Sequence, residues 1–76
     1  MAARLRPLSG KEVVRKLKRA GFQLIRVKGS AYYLRHPDTG RFTSVHVHGS
    51  EDIPIGTLHA IVVEQAGLSV DEFNRL

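Results

Sequence analysis

Two turn signals divide the middle of the chain into three short runs, and this division limits the folds that the sequence can adopt. Gly29-Ser30 is a tight connection, and Pro37-Asp38-Thr39-Gly40 is a strong turn sequence. Apolar and polar side chains alternate within the runs, as they do in strands that have one buried face. We therefore predict strands at Phe22–Lys28, Ala31–His36 and Arg41–His48.

The alternation also assigns the side chains to the two faces of the predicted sheet. One face is apolar and comprises Ile25, Val27, Tyr32, Leu34, Val45 and Val47. The other face is cationic and aromatic and comprises Arg26, Lys28, Tyr33, Arg35, Ser44, His46 and His48. Leu24 and Phe42 fall on this second face and interrupt its polar pattern. We expect helices to cover the apolar face and to leave the cationic face open.

Helices are predicted on both sides of the strands. Ser9-Gly10-Lys11-Glu12 has the pattern of a capping box, and Gly21 supplies the left-handed stop of the first helix. A second helix is predicted from about Pro54 to Ala66. Ser69-Val70-Asp71-Glu72 is another capping box, which opens a short terminal helix. The side chains expected to dock this helix on the core are Val70, Phe73 and Leu76.

The resulting order α-β-β-β-α belongs to the α+β class. It predicts a three-stranded antiparallel sheet with helices on one face, which is the architecture of double-stranded-RNA-binding domains. Many small α+β domains have this order, so the architecture alone does not decide the function.

The length and composition set further bounds. We predict a single domain over residues 1–76, with a partly flexible segment at residues 1–8. The absence of cysteine excludes disulfides, thiolate zinc sites and a cysteine nucleophile. The sequence contains no apolar run long enough to cross a membrane and no signal-peptide core. We therefore expect a cytoplasmic protein.

The charge is unevenly distributed along the chain. Residues 1–41 hold eleven Lys and Arg residues against two carboxylates, a balance of +9. Residues 42–76 hold one Arg against five carboxylates, a balance of −4. A cationic half suits a protein that binds a polyanion, because neutralised phosphates release their counterions. A solvated basic surface that keeps the protein soluble is the alternative.

Five segments, taken in order, resemble the HicA family of small toxins over roughly residues 9–73. They are Gly21-Phe22 with Lys28-Gly29-Ser30-Ala31-Tyr32; Arg35-His36-Pro37-Asp38; Val45-His46-Val47-His48-Gly49; Ile53-Pro54-Ile55-Gly56-Thr57-Leu58; and Gln65-Ala66-Gly67-Leu68-Ser69. Two positions depart from the family pattern. The family's catalytic histidine after Gly-Ser is Ala31 here, and the family's proline two residues before its second histidine is His46.

The resemblance implies the toxin of a toxin–antitoxin pair, an endoribonuclease (mRNA interferase) that binds and cuts messenger RNA. It also implies a partner, a HicB-type antitoxin that covers the active site, and it implies neither a metal nor an organic cofactor. Metal-free cleavage of RNA needs a base, an acid and cations around the phosphate. Histidine suits both proton transfers, whereas the methyl group of Ala31 performs neither. We therefore expect this chain to be catalytically inactive as written.

Candidate site residues follow from this resemblance and from the cationic face. Position 31 is the catalytic position, and Lys28, Ser30 and His48 are its candidate supporting residues. The predicted RNA-binding residues are Lys11, Arg15, Lys18, Arg26, Lys28, Gly29, Ser30, Tyr33 and Arg35. Without the resemblance, the same residues are a hairpin turn, cross-strand pairs and solvated cations.

The remaining histidines carry weaker predictions. His46 and His48 point to one face of a strand, a spacing that a metal site or a surface pair can use. No cysteine or acidic residue accompanies them on that strand, which favours the surface pair, and we predict no metal site. His36 is predicted in a turn and His59 on a helix surface. Two other functions stay open, a non-catalytic RNA-binding module and a domain that only docks a protein partner.

Overall fold

The computed structural model describes residues 4–76, and its elements follow the predicted order. The helices are α1 (Gly10–Arg19), α2 (Ile55–His59), which continues as a π-helical segment (Ala60–Gln65), and α3 (Val70–Asn74). The strands are β1 (Gln23–Lys28), β2 (Ala31–Arg35) and β3 (Phe42–His46). They form one antiparallel sheet in the order β1-β2-β3, so the predicted α+β fold is confirmed.

Helix α1 begins at the predicted cap. The Ser9 hydroxyl accepts a hydrogen bond from the Glu12 amide at 3.3 Å, which satisfies one of the free donors at the helix start. Val13 and Leu17 are fully buried on one face of the helix, one turn apart. Of the two predicted capping boxes, the described part of the chain completes only the second, in which Ser69 and Glu72 bond each other reciprocally.

The two predicted turns join the strands. Gly29 has φ of 58°, a conformation that glycine adopts without strain, and it is the first residue of the two-residue connection between β1 and β2. Strand β3 ends two residues earlier than predicted, at His46. The chain turns shortly afterwards, at residues 48–51, where the amide of Glu51 donates to the carbonyl of His48 at 3.0 Å.

A bulge in β1 corrects the predicted pattern of that strand. The register with β2 shifts between Leu24 and Arg26, so Ile25 is the extra residue and has no partner on β2. Leu24 consequently lies opposite the buried Leu34, on the covered face rather than on the cationic face. Ile25 was predicted on the covered face but is 54% exposed. The alternation rule fails here because one inserted residue reverses the face assignment of the residues that precede it in the strand.

The core lies between the helices and the β2–β3 part of the sheet. It joins Leu17 of α1, Leu34 and Val45 of the sheet, Leu58 of α2 and Phe73 of α3, all of them fully buried. Helix α1 and the π-helical segment both pack against β3. All six residues of β1 are exposed, because this strand lies at the edge away from the helices.

The second helix differs from the prediction of one regular helix over Pro54–Ala66. Its second half is π-helical, and the Ala66 amide donates to the Ile61 carbonyl, five residues back, at 2.8 Å. The hydroxyl of Thr43, the buried polar residue of β3, donates to Oε1 of Gln65 in this segment. Gly67 has φ of 71° and ends the helix as predicted.

Both ends of the described chain pack on the core. Phe73 is fully buried and Leu76 is partly buried against the core, whereas Val70 is half-buried outside that cluster. Asn74 donates from Nδ2 to the carbonyl of Arg4 at 2.8 Å, which attaches the N-terminal segment to α3. The predicted flexible segment falls partly on residues 1–3, which lie outside the described residues. In residues 4–76, no helix has the length and apolarity needed to span a membrane.

Candidate functional site

The open face of the sheet carries three cross-strand rows of side chains. Directly opposed residues of an antiparallel sheet share a face, so the register defines each row. The row at the end of the sheet next to the Gly29-Ser30 turn is Lys28–Ala31–His46, on β1, β2 and β3. The middle row is Arg26–Tyr33–Ser44, and the row at the far end is Gln23–Arg35–Phe42. Position 31 therefore lies on the central strand, between a lysine and a histidine.

The Gly29-Ser30 turn lies directly beside the row that contains Ala31. The Val47 amide donates to the Ser30 carbonyl at 2.8 Å, so Ser30 and Val47 are a hydrogen-bonded pair. Hydrogen-bonded and non-hydrogen-bonded pairs alternate along an antiparallel ladder, and the next pair, Ala31 and His46, is therefore of the non-hydrogen-bonded kind. Side chains approach most closely in such pairs. The small methyl group of Ala31 thus leaves open space beside the imidazole of His46.

Two histidines lie together beside position 31. The rings of His46 and His48 are parallel within 3°, with centroids 6.1 Å apart, and both side chains are exposed. This separation is within the range of paired aromatic rings. In residues 4–76, no group of three or more His, Asp or Glu side chains is arranged to hold a metal ion.

An aromatic pair occupies the adjoining rows. The rings of Tyr33 and Phe42 are stacked, with centroids 5.9 Å apart and an angle of 22° between their planes. Phe42 is 49% exposed, so this apolar surface faces solvent beside the cations Arg26 and Arg35. An exposed aromatic pair among cations is a platform on which a nucleobase can stack.

The helical cations lie elsewhere. Lys11, Arg15 and Lys18 of α1 line a groove together with Tyr32 and Val47. Tyr32 is opposite the buried Val45, so this groove belongs to the covered side of the sheet. The predicted RNA-binding residues therefore divide into two surfaces. The open-face set is Arg26, Lys28, Tyr33 and Arg35, with Gly29 and Ser30 in the turn at its end, and the α1 set is Lys11, Arg15 and Lys18.

A second groove borders β3 on the side away from β2. It has a volume of about 700 Å³ and lies between β3 and the second helix, where Ser44, His46 and His48 face Thr57. Glu51 and Asp52 also line it, and none of its described lining residues is Lys or Arg. The open face is therefore cationic on one side of His46 and weakly acidic on the other.

The sequence matches a family model described as the HicA toxin of bacterial toxin–antitoxin over residues 10–68. The chain belongs to the HicA toxin family. The matched range is more than half of the chain and contains all three strands and position 31. A search of curated proteins found no match. Membership of a toxin–antitoxin family implies an antitoxin partner for this HicA chain.

Within this HicA domain, the structure brings Ala31, Lys28, Ser30 and His48 to one end of the open face. It adds two residues that the sequence prediction left out of the site, His46 and Phe42. The sequence prediction gives His48, and not His46, a supporting role, and it treats Phe42 only as an interruption of the polar pattern. The interruption was the available signal, because an apolar side chain on a polar face is exposed.

His36, the first residue after β2, is structural in this HicA fold, as predicted. Its Nδ1 accepts hydrogen bonds from the amides of Asp38 and Thr39, at 3.2 and 3.4 Å. Its ring also meets Phe22 edge-on, with centroids 5.2 Å apart. These contacts shape the turn between β2 and β3. His59 is exposed on α2, also as predicted.

Proposed function

We propose that this domain is a metal-independent endoribonuclease toxin of the cytoplasm, which binds and cleaves messenger RNA, and that Ala31 inactivates it. One observation carries the proposal. Position 31 lies on the central strand at one end of the open face, between Lys28 and His46 and next to the Tyr33–Phe42 pair. A histidine there points at any phosphate held by these cations, whereas alanine leaves the phosphate without a proton acceptor.

The surrounding groups have distinct roles in this proposal. Arg26, Lys28 and Arg35 are exposed and bind phosphates along the strand direction. Tyr33, together with Phe42, stacks on a base. The amides of Gly29 and Ser30 orient the phosphate nearest to position 31. His48 supports the site through its contact with His46.

The α1 cations have a different role, because they lie on the covered side of the sheet. We assign Lys11, Arg15 and Lys18 to backbone contacts with RNA that extends past the open face. Short RNA that occupies only the open face does not reach them. The antitoxin partner, which we take to be of the HicB type, inhibits this domain by covering the open face, and its contacting surface is acidic.

Ala31 itself favours a second candidate function. A domain with this alanine and an intact cationic face binds RNA without cutting it. This alternative is a non-catalytic RNA-binding module of the same fold.

The experiment compares RNA cleavage by this chain with cleavage by its Ala31→His variant. Both proteins are made in a cell-free system, since an active toxin harms the producing cell, and both are assayed in EDTA. We expect both to bind RNA and only the variant to cut it. If both bind RNA and neither cuts, the non-catalytic module is the function. If neither binds RNA, both candidates are wrong and the domain only docks a protein partner.

A further inference from the structure

His46 lies opposite position 31, and the proposed ribonuclease function assigns it no proton transfer. Cleavage of a phosphodiester by the 2′-hydroxyl needs two proton transfers, one from the attacking oxygen and one to the leaving oxygen. A histidine at position 31 supplies one group. His46 is the residue directly opposite, on the same face, and their side chains approach as a non-hydrogen-bonded pair.

The surfaces on the two sides of His46 differ in charge. Lys28 and Arg26 lie beyond position 31, and they attract the phosphate. On the other side lies the groove between β3 and the second helix. Thr57 and the carboxylates of Glu51 and Asp52 line this groove, and none of its described lining residues is Lys or Arg. A phosphate is disfavoured in such a groove, whereas an uncharged nucleoside fits it. His46 therefore lies between the phosphate and the place for a nucleoside.

We propose that His46 is the general acid of the reaction and that this groove holds the leaving nucleoside. The inference rests on the proposed ribonuclease function. A neutral imidazole at position 31 removes the proton from the 2′-hydroxyl, and that oxygen attacks phosphorus. The bond from phosphorus to the 5′-oxygen breaks, and the imidazolium of His46 gives its proton to that oxygen. The products are a 2′,3′-cyclic phosphate and a 5′-hydroxyl, and the two imidazoles have exchanged protonation states.

His48 orients this acid. Its ring is parallel to that of His46, and the two ring centroids are 6.1 Å apart. In this proposal the His48 ring limits the rotation of the His46 ring. His48 is thus a positioning residue in this proposal, since it acts through His46.

The test is made in the active background, on an oligoribonucleotide that has one cleavable bond, in EDTA. The proteins are Ala31→His, the double variant Ala31→His with His46→Gln, and a matched control, Ala31→His with His59→Gln. His59 is an exposed histidine on α2 that the site does not use. Loss of a general acid lowers the rate by about 10²–10⁴-fold, and we expect that loss for the His46 variant and no loss for the control. Thermal unfolding of each protein establishes that it is folded.

Two further readouts separate an acid from a merely structural residue. With both groups present the rate rises and then falls with increasing pH, and the alkaline fall disappears when the acid is removed. A substrate with sulfur in place of the 5′-oxygen needs no acid, because a thiolate leaves unprotonated, so it restores the rate of the His46→Gln double variant. Undiminished cleavage of normal RNA by that variant, or equally slow cleavage of the sulfur substrate, overturns the assignment. If Ala31→His alone fails to cut normal RNA, the proposed ribonuclease function is wrong, and the assignment of His46 is wrong with it because it rests on that function.

Discussion

The ammonium group of Lys16 lies 4.9 Å from the centre of the Phe73 ring and donates a hydrogen bond to the Phe73 carbonyl at 3.3 Å. This lysine joins α1 to α3, and the two bonded residues are 57 positions apart in the chain. It belongs to the basic half of the sequence, yet its charge serves the fold. Composition alone does not separate such a structural cation from one that binds phosphate.

Replacing Lys16 therefore destabilises the protein. Lys16→Met keeps the aliphatic stem but removes the hydrogen bond and the cation–π contact, and we expect a loss of about 1–2 kcal/mol in the free energy of unfolding. Urea denaturation measures it. Lys18→Met, at an exposed position of the same helix, is the control and changes stability by less than about 0.5 kcal/mol. Equal effects of the two substitutions contradict the structural role of Lys16.

Two glycines are expected to respond to alanine with opposite signs. A Cβ at Gly10 overlaps the carbonyl oxygen of His46 and lies 3.0 Å from Cα of Val47, and neither backbone atom moves easily. Gly10→Ala should destabilise by about 1–3 kcal/mol, and it should also disturb the strand that carries His46. At Gly56, within α2, the described residues leave a Cβ free of any neighbour within 4 Å, so Gly56→Ala should stabilise by up to about 1 kcal/mol. Thermal unfolding of both variants checks the two signs.

The second capping box makes stability depend on pH. Hydrogen bonds from the Ser69 backbone and side chain to Glu72, with a smaller contribution from the charge of Arg75, lower the pKa of Glu72 below its ordinary value of 4.5. Because the folded pKa is the lower one, this contribution is complete above the unfolded pKa and is lost as pH falls through the folded pKa. Glu72→Gln should therefore reduce stability at neutral pH and flatten its decline below about pH 4.5.

The control for this prediction is Glu64→Gln, a substitution of an exposed carboxylate next to the end of the π-helical segment. It should leave the acid side of the profile unchanged. Identical profiles for the two variants argue against the capping contribution of Glu72.

The two cationic surfaces predict different responses to RNA length. Arg26→Gln and Lys28→Gln remove open-face charges, so each should lower the slope of log affinity against log salt by about 0.7 for single-stranded RNA of any length. Lys11→Gln and Arg15→Gln remove α1 charges on the covered side, and they should weaken binding of long RNA only. Both effects are measured by fluorescence anisotropy with two RNAs. One has about six nucleotides and fits on the open face, and the other has about thirty nucleotides and extends past it. Equal loss on the short RNA contradicts the division into two surfaces.

The order of elements was predictable because each boundary carries a local signal. Ser9 and Ser69 cap helices, and Gly29 and Gly67 adopt the left-handed conformations that their positions require. The bulge at Ile25 was not predictable, since nothing in the local sequence marks an inserted residue. The position of His46 beside Ala31 depends on strand register, which the Gly29-Ser30 turn and the bonds between β2 and β3 fix together.

The site was predictable in part for a related reason. The cationic face follows from alternation. It holds for Tyr33 and Arg35 because β2 is regular, and for Lys28 because the bulge in β1 comes before it in the strand. The separation of the α1 cations from that face depends on how α1 packs, which is a tertiary property. The groove beside β3 likewise exists only once the second helix has packed.

The hydrogen bond between Thr43 and Gln65 has a consequence for how the length of this domain can vary. Gln65 lies at the end of the π-helical segment, and its side chain reaches the buried hydroxyl only at that rotation about the helix axis. Deleting one residue from Ala60–Gln65 would change the rotation of Gln65 about the helix axis and leave the Thr43 hydroxyl buried without its partner. The exposed residues of this segment can change identity, but the length of the segment cannot change, because the buried hydroxyl of Thr43 needs Gln65 as its partner.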